Sequence, residues 1–276
     1  MHRRSPLALL PLLITALAAQ VTKETPPTPV EHQAVLVGLD RAARALAAGE
    51  LTGAEAVLRA LTTTAPEMPT VWYQFAMVLR LRERHAEALT AANKAAELAP
   101  TLLPARMLAV ECQAEIDPEA ARPVALALLA EPEAIGMRKE LVPVLLRLQA
   151  FAETEATLAE LVADAPDDMQ LVQWQADCAL QAGEPAKAVP PLQRLLELEP
   201  RQPPVLESLA NVHRRLEQPA AAIATFERLL TIDPAHVRGR QALIDLLVAA
   251  GADEARIRVH RDALARRRAA SPSTDR

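Results

Sequence analysis

Glycine, aromatic residues and cysteine are all scarce in this chain of 276 residues, which has seven glycines, two tryptophans, one tyrosine, three phenylalanines and two cysteines. So few glycines leave few turns with positive φ, and so few aromatic and β-branched residues argue against a sandwich or barrel of short strands. The glycines never form GxGxxG or a P-loop, so a phosphate cradle is missing. Cys112 and Cys178 make no CxxC and no metal-ligand spacing. Basic charge is short as well: the net charge is −5, and −7 once residues 1–19, with Arg3, Arg4 and no acid, are set aside. That excludes a generally basic nucleic-acid binder, because such binding rests on neutralising many phosphates.

What the chain has is alanine, leucine, glutamate and arginine, all good helix formers, with 51% hydrophobic against 24% charged residues. That is enough apolar surface for a large core. At the N-terminus, Arg3 and Arg4 precede an uncharged apolar run from Pro6 to Ala19 that ends in the small-x-small pattern Ala16-Leu17-Ala18. The run of 14 is shorter than the roughly 20 residues of a membrane-spanning helix, and Pro6 and Pro11 weaken a core helix. Residues 1–19 are therefore expected to be a cleaved signal peptide that exports the chain to a periplasmic or extracellular location, leaving no membrane span. Residues 20–33, with Pro26, Pro27 and Pro29 among threonines, read as a stiff linker.

Beyond the linker the prolines keep a ruler. Pro66, Pro100, Pro132, Pro166, Pro200 and Pro234 are spaced 34, 32, 34, 34 and 34 apart. Aligned on them, one column reads Ala42, Ala76, Ala176 and Ala210, and another Ala54, Ala88, Ala120, Thr154, Ala188 and Ala222. Leu58, Ala92, Val124, Leu158, Leu192 and Phe226 follow four residues later, then Leu61, Ala95, Ala127, Leu161, Leu195 and Leu229 three after those. Spacings of 3 and 4 put these columns on one helical face.

Trp72-x2-Phe75-Ala76-x2-Leu79, then Ala88-x3-Ala92-x2-Ala95, then Pro100, resembles the tetratricopeptide repeat (TPR) pattern, and the block from Leu206 to Pro234 does so too. The resemblance implies an all-α fold: a right-handed superhelical solenoid of about six to seven antiparallel helix pairs over residues 34–268. Its units end near 66, 100, 132, 166, 200 and 234, a degenerate capping unit follows, and 269–276 is a disordered tail. Small residues let paired helices approach closely, and stacking supplies the core that one pair cannot build. Pro123, Pro143, Pro190 and Pro191 fall inside expected helices, so the third to fifth units should be irregular.

No catalytic constellation is visible. The six histidines are scattered, none in HExxH, and His260-Arg261-Asp262 lacks the downstream Asn and DFG of a kinase. His213 reads as a semi-buried, satisfied histidine, and the two cysteines as small buried hydrophobes. The arginine-rich terminal stretch reads as a solvated capping helix. Catalytic, cofactor and metal residues are expected to be absent. The resemblance implies instead a concave groove lined by the first helix of each unit. Its inward positions include Tyr73, Met77 and Arg80, then Ala105 and Cys112, then Lys139. They continue with Gln170, Gln173 and Asp177, then Glu207, Asn211 and Arg214, then Gln241 and Asp245, with Arg106 and Trp174 beside the line. Lys139 lacks the Asn of the family's carboxylate clamp, because Pro143 stands there. The expected function is an exported, non-catalytic scaffold that binds a protein or peptide in this groove. The alternative is an accessory subunit of an envelope assembly, secretion or enzyme complex.

Overall fold

The computed structural model describes residues 29–270. The expected signal peptide lies outside the described residues, as do most of the linker and the chain beyond Ala270. Among the described residues there is no strand, and fourteen α-helices follow one another. They are α1 (Pro29–Ala47), α2 (Leu51–Thr64), α3 (Pro69–Leu81), α4 (His85–Leu98), α5 (Leu103–Ile116), α6 (Pro118–Ala130) and α7 (Arg138–Arg147). Then come α8 (Phe151–Asp164), α9 (Met169–Gln181), α10 (Pro185–Leu198), α11 (Pro203–Arg215), α12 (Pro219–Ile232), α13 (Val237–Ala249) and α14 (Glu254–Ala270). α1 starts at Pro29, inside the stretch expected to be linker, and α14 runs to Ala270, two residues into the expected tail.

The chain forms two compact units, one ending at Leu148 and one beginning at Gln149. In the first, Leu39, Ala42, Leu58, Val71, Ala76, Leu79, Ala88 and Ala92 build a core of successive helix pairs. In the second, Ala176, Ala188, Leu192, Leu206, Ala210, Phe226, Leu229 and Leu243 do the same, with Ile257 and Leu264 of α14 closing it. Helix starts follow from local chemistry. Pro69, Pro118, Pro185, Pro203 and Pro219 sit at the first turn, where a missing N–H is harmless. Asp117, Asp168 and His236 accept hydrogen bonds from first-turn N–H groups.

The turns within pairs use a backbone conformation that the glycine count had seemed to make rare. Five of them are three residues long and the sixth, before α14, is four, and each holds one residue with positive φ: Gly49, Glu83, Gln149, Gly183, Glu217 and Gly251. In five of the six the next N–H bonds back five residues, as from Glu50 to Ala45 (2.8 Å), Arg84 to Leu79 (3.0 Å) and Gln218 to His213 (2.9 Å). This closure satisfies a terminal carbonyl, so the left-handed residue recurs even where it is not glycine.

The third pair departs from the others and corrects the sequence alignment. A single residue, Asp117, separates α5 from α6. The expected inward positions Ala120, Val124 and Ala127 are exposed, and Ala121, Ala125 and Leu128 are buried instead. Counted from the helix start, those three occupy the same places as Ala88, Ala92 and Ala95 in α4. The alignment erred because it was anchored on the closing proline, which here stands one residue nearer the helix start. The irregularity expected from internal prolines appears as a 3-10 turn, Pro132–Met137, ahead of the ten-residue α7. By contrast α10 keeps fourteen residues with Pro190 and Pro191 inside it.

Candidate functional site

In the first unit α3 places Tyr73 and Met77 half-buried and Arg80 exposed along one face, at helical spacing. Arg80 is not free: its guanidinium lies 3.2 Å from the carboxylate of Glu111 on α5. Burial raises the Glu111 carboxyl above its usual range, opposed by Arg80 and Arg147. Burial also raises the Tyr73 phenol, and the nearby Glu111 charge adds to this. Glu115, one turn on from Glu111, is ion-paired to Arg147 of α7. First helices of this unit are thus laced together by arginine–carboxylate pairs.

Ala105 and Cys112, expected on this line, are fully buried. Burial pushes the Cys112 thiol up to about 11, which makes it a core hydrophobe. The ninth residue from the start of α5 is Glu111, so sequence reasoning missed it by one position. Counting from Leu103, the helix start, would have found it. Arg106 is turned to an internal task as well. Its guanidinium makes a two-pronged contact with the carboxylate of Glu131 (2.6 Å for one prong), which fastens α5 to the end of α6. Lys139 is half-buried on the first turn of α7.

In the second unit the predicted line is a ladder of side chains that bond along their own helix. On α9 the Gln173 amide donates to Asp177 (3.0 Å), and on α13 Gln241 donates to Asp245 (3.0 Å). These are i,i+4 pairs on one face. Between them in sequence, on α11, Arg214 donates to the Asn211 carbonyl oxygen (3.2 Å). Glu207 reaches the Nε2 of His236 at 3.5 Å. Burial raises the Asp177 carboxyl, opposed by the Gln173 bond. Gln170 is exposed and Trp174 half-buried. His213 is buried, with Nδ1 2.8 Å from the Gln218 side-chain oxygen. Each unit therefore gathers its own candidates: the first has aromatic, sulfur and arginine groups tied by ion pairs, the second mostly amides and carboxylates.

Among the described residues no three His, Cys, Asp or Glu side chains gather as a metal site would require, and no helix is long and apolar enough to cross a membrane. Both cysteines are free and buried.

No curated protein matches the sequence. Solved structures do. YrrB, a TPR protein with an unusual peptide-binding site, is 19% identical and superposes with a TM-score of 0.53 over 67% of this chain and 96% of its own. A tetratricopeptide repeat protein from Parabacteroides merdae is 16% identical, with a TM-score of 0.59 over 84% and 92% of the two chains. PilW, a widely conserved type IV pilus biogenesis factor, is 14% identical, with 0.58 over 79% and 100%. Identities this low speak for the fold alone. Tetratricopeptide repeat models match residues 39–102, 140–204 and 203–236, together more than half of the sequence, in the stretches where the helix pairs stand. The chain is a helical solenoid that belongs to the tetratricopeptide repeat family.

Proposed function

We propose that the protein is an exported, non-catalytic scaffold that holds a protein or peptide partner on the first-helix faces of its repeats. The observation that carries this reading is the use of the fifth and ninth positions of α9, α11 and α13. They bear Gln173 and Asp177, Glu207 and Asn211, and Gln241 and Asp245, polar side chains that the core does not use. Held in place by a neighbour on the same helix or, for Glu207, by His236, these amides and carboxylates present preset hydrogen-bonding groups, so little rotamer freedom is lost on binding.

The test is affinity capture with the mature chain and with a triple variant, Asp177→Ala, Glu207→Ala and Asp245→Ala, followed by mass spectrometry. A ligand retained by the first and lost from the second supports the reading, and equal recovery refutes it. One stoichiometric protein would mark a subunit of a larger assembly, and many short peptides a general binder. Export has its own test. N-terminal sequencing of the native protein is expected to begin at Ala19 or Gln20, and an intact Met1 on a cytosolic product would refute export.

A further inference from the structure

The second unit carries a cleft that none of the predicted groove residues lines. It lies between the second helices α8 and α10, with α9 as its floor, and has a volume of about 360 Å³. Leu158, Val162, Val172, Ala179, Pro190 and Pro191 make its apolar surface.

Two charge clusters stand at its ends. Lys187 of α10 crosses to Glu155 of α8 (2.9 Å) and also holds Glu184 (2.7 Å). Seven residues on, Arg194 bonds Glu197 (2.8 Å) and pairs with Asp167, just past α8. Each cation faces two carboxylates, so each cluster is net negative. At 1.5 Å per residue, the two lie about 10 Å apart along α10.

The helix between them leaves one backbone acceptor without a helical donor. Helical carbonyls are met by the N–H three or four residues on, but for Lys187 those positions are Pro190 and Pro191, which have none. Lys187, Pro190 and Pro191 all line the cleft. One repeat earlier and one later, the residues matching Pro191 are Thr157 and Thr225. Their hydroxyls donate to the carbonyls of Glu153 and Ala221, both at 2.7 Å. At Pro191 the corresponding carbonyl receives neither an N–H nor a hydroxyl from that residue.

We propose that this cleft is a second docking site, separate from the first-helix faces, for an extended peptide segment of a partner in which one apolar side chain lies between two basic residues. The apolar side chain fills the cleft, and a peptide N–H meets the Lys187 carbonyl. In an extended segment the residues two before and two after a given one share its face and are about 13 Å apart, and flexible lysine or arginine stems bring their charges onto the two acidic clusters.

The test is fluorescence anisotropy of a labelled Gly-Lys-Ser-Leu-Ser-Lys-Gly peptide titrated with the full chain. Binding should weaken about tenfold or more in Ala159→Arg, where an exposed residue lining the cleft becomes a bulky cation. It should also weaken in Pro191→Ala, which restores an N–H to Lys187 and should raise the melting temperature at the same time. Asp177→Ala, on the first-helix face, should leave the titration unchanged, so failure here is distinct from failure of the scaffold reading. The proposal is overturned if the peptide does not bind, if glutamates in place of its lysines bind as tightly, or if Ala159→Arg binds within twofold of the unaltered chain.

Discussion

Three arginines, Arg59, Arg82 and Arg84, converge on the carboxylate of Glu55, which is 6% exposed. Their hydrogen bonds and charges, that of Arg59 foremost, hold this carboxyl down at about 2 against an ordinary 4.5. The folded state therefore binds this proton less readily than the unfolded chain. The stabilisation is present above pH 4.5 and is lost as the pH falls from 4.5 towards 2. Glu55→Gln should lower unfolding free energy at pH 7 by about 1–2 kcal/mol, a modest figure because the arginines are partly solvated and screened. The difference from the unaltered chain should shrink at pH 3, as urea titrations at the two pH values will show. If the loss is the same at both, the arginines are not what holds the carboxylate.

At the scale of the element, the recurring device is the left-handed residue between paired helices. Glu83, Gln149 and Glu217 adopt φ of 60°, 55° and 55°, a region that costs a side chain roughly 1 kcal/mol and costs glycine almost nothing. Replacing each with glycine should raise stability by about 0.5–1 kcal/mol, and the three should add, because the turns share no partners. A denaturation midpoint that falls in all three variants would mean their side chains do more than tolerate the turn. The internal prolines obey a rule of their own. Pro123, Pro143 and Pro190 each stand five residues after the helix start, so each removes a hydrogen bond close to the helix's N-terminal end.

In each unit as a whole, stability is close to a sum of contacts between neighbouring helices, so a residue matters according to which interface it fills. Ala210 is fully buried in the core of the second unit. Ala210→Leu should overpack that contact and cost about 1–3 kcal/mol. Trp174, half-buried on a first helix, should behave in the opposite way, with Trp174→Ala weakening a captured partner more than it lowers the melting temperature. Paired melting and binding measurements separate the two. A melting loss for Trp174→Ala as large as that of Ala210→Leu, with affinity unchanged, would place the binding face elsewhere.

The helical class, the repeat and most buried columns were legible in the sequence alone, because every decisive contact in a solenoid is made between segments close in sequence. Proline at the end of one pair, small residues three and four apart, and Leu58, Leu192 or Phe226 between them mark both helix and neighbour. Only the tertiary structure decided matters that depend on where a helix begins. Because the closing proline stands one residue nearer the start of α6, its buried face is Ala121, Ala125 and Leu128 rather than Ala120, Val124 and Ala127. An error of one position on α5 likewise hid Glu111 behind Cys112. Side chains 25 or more residues apart had to meet before Arg106 could be seen holding Glu131, or Arg194 holding Asp167. Such pairings depend on how closely one helix approaches the next, and on which arginine is long enough to reach across. No spacing within a single helix encodes that distance. The cleft at Pro190 and Pro191 is of the same kind: the prolines are plain in the sequence, but only the neighbouring helices make them the wall of a cavity.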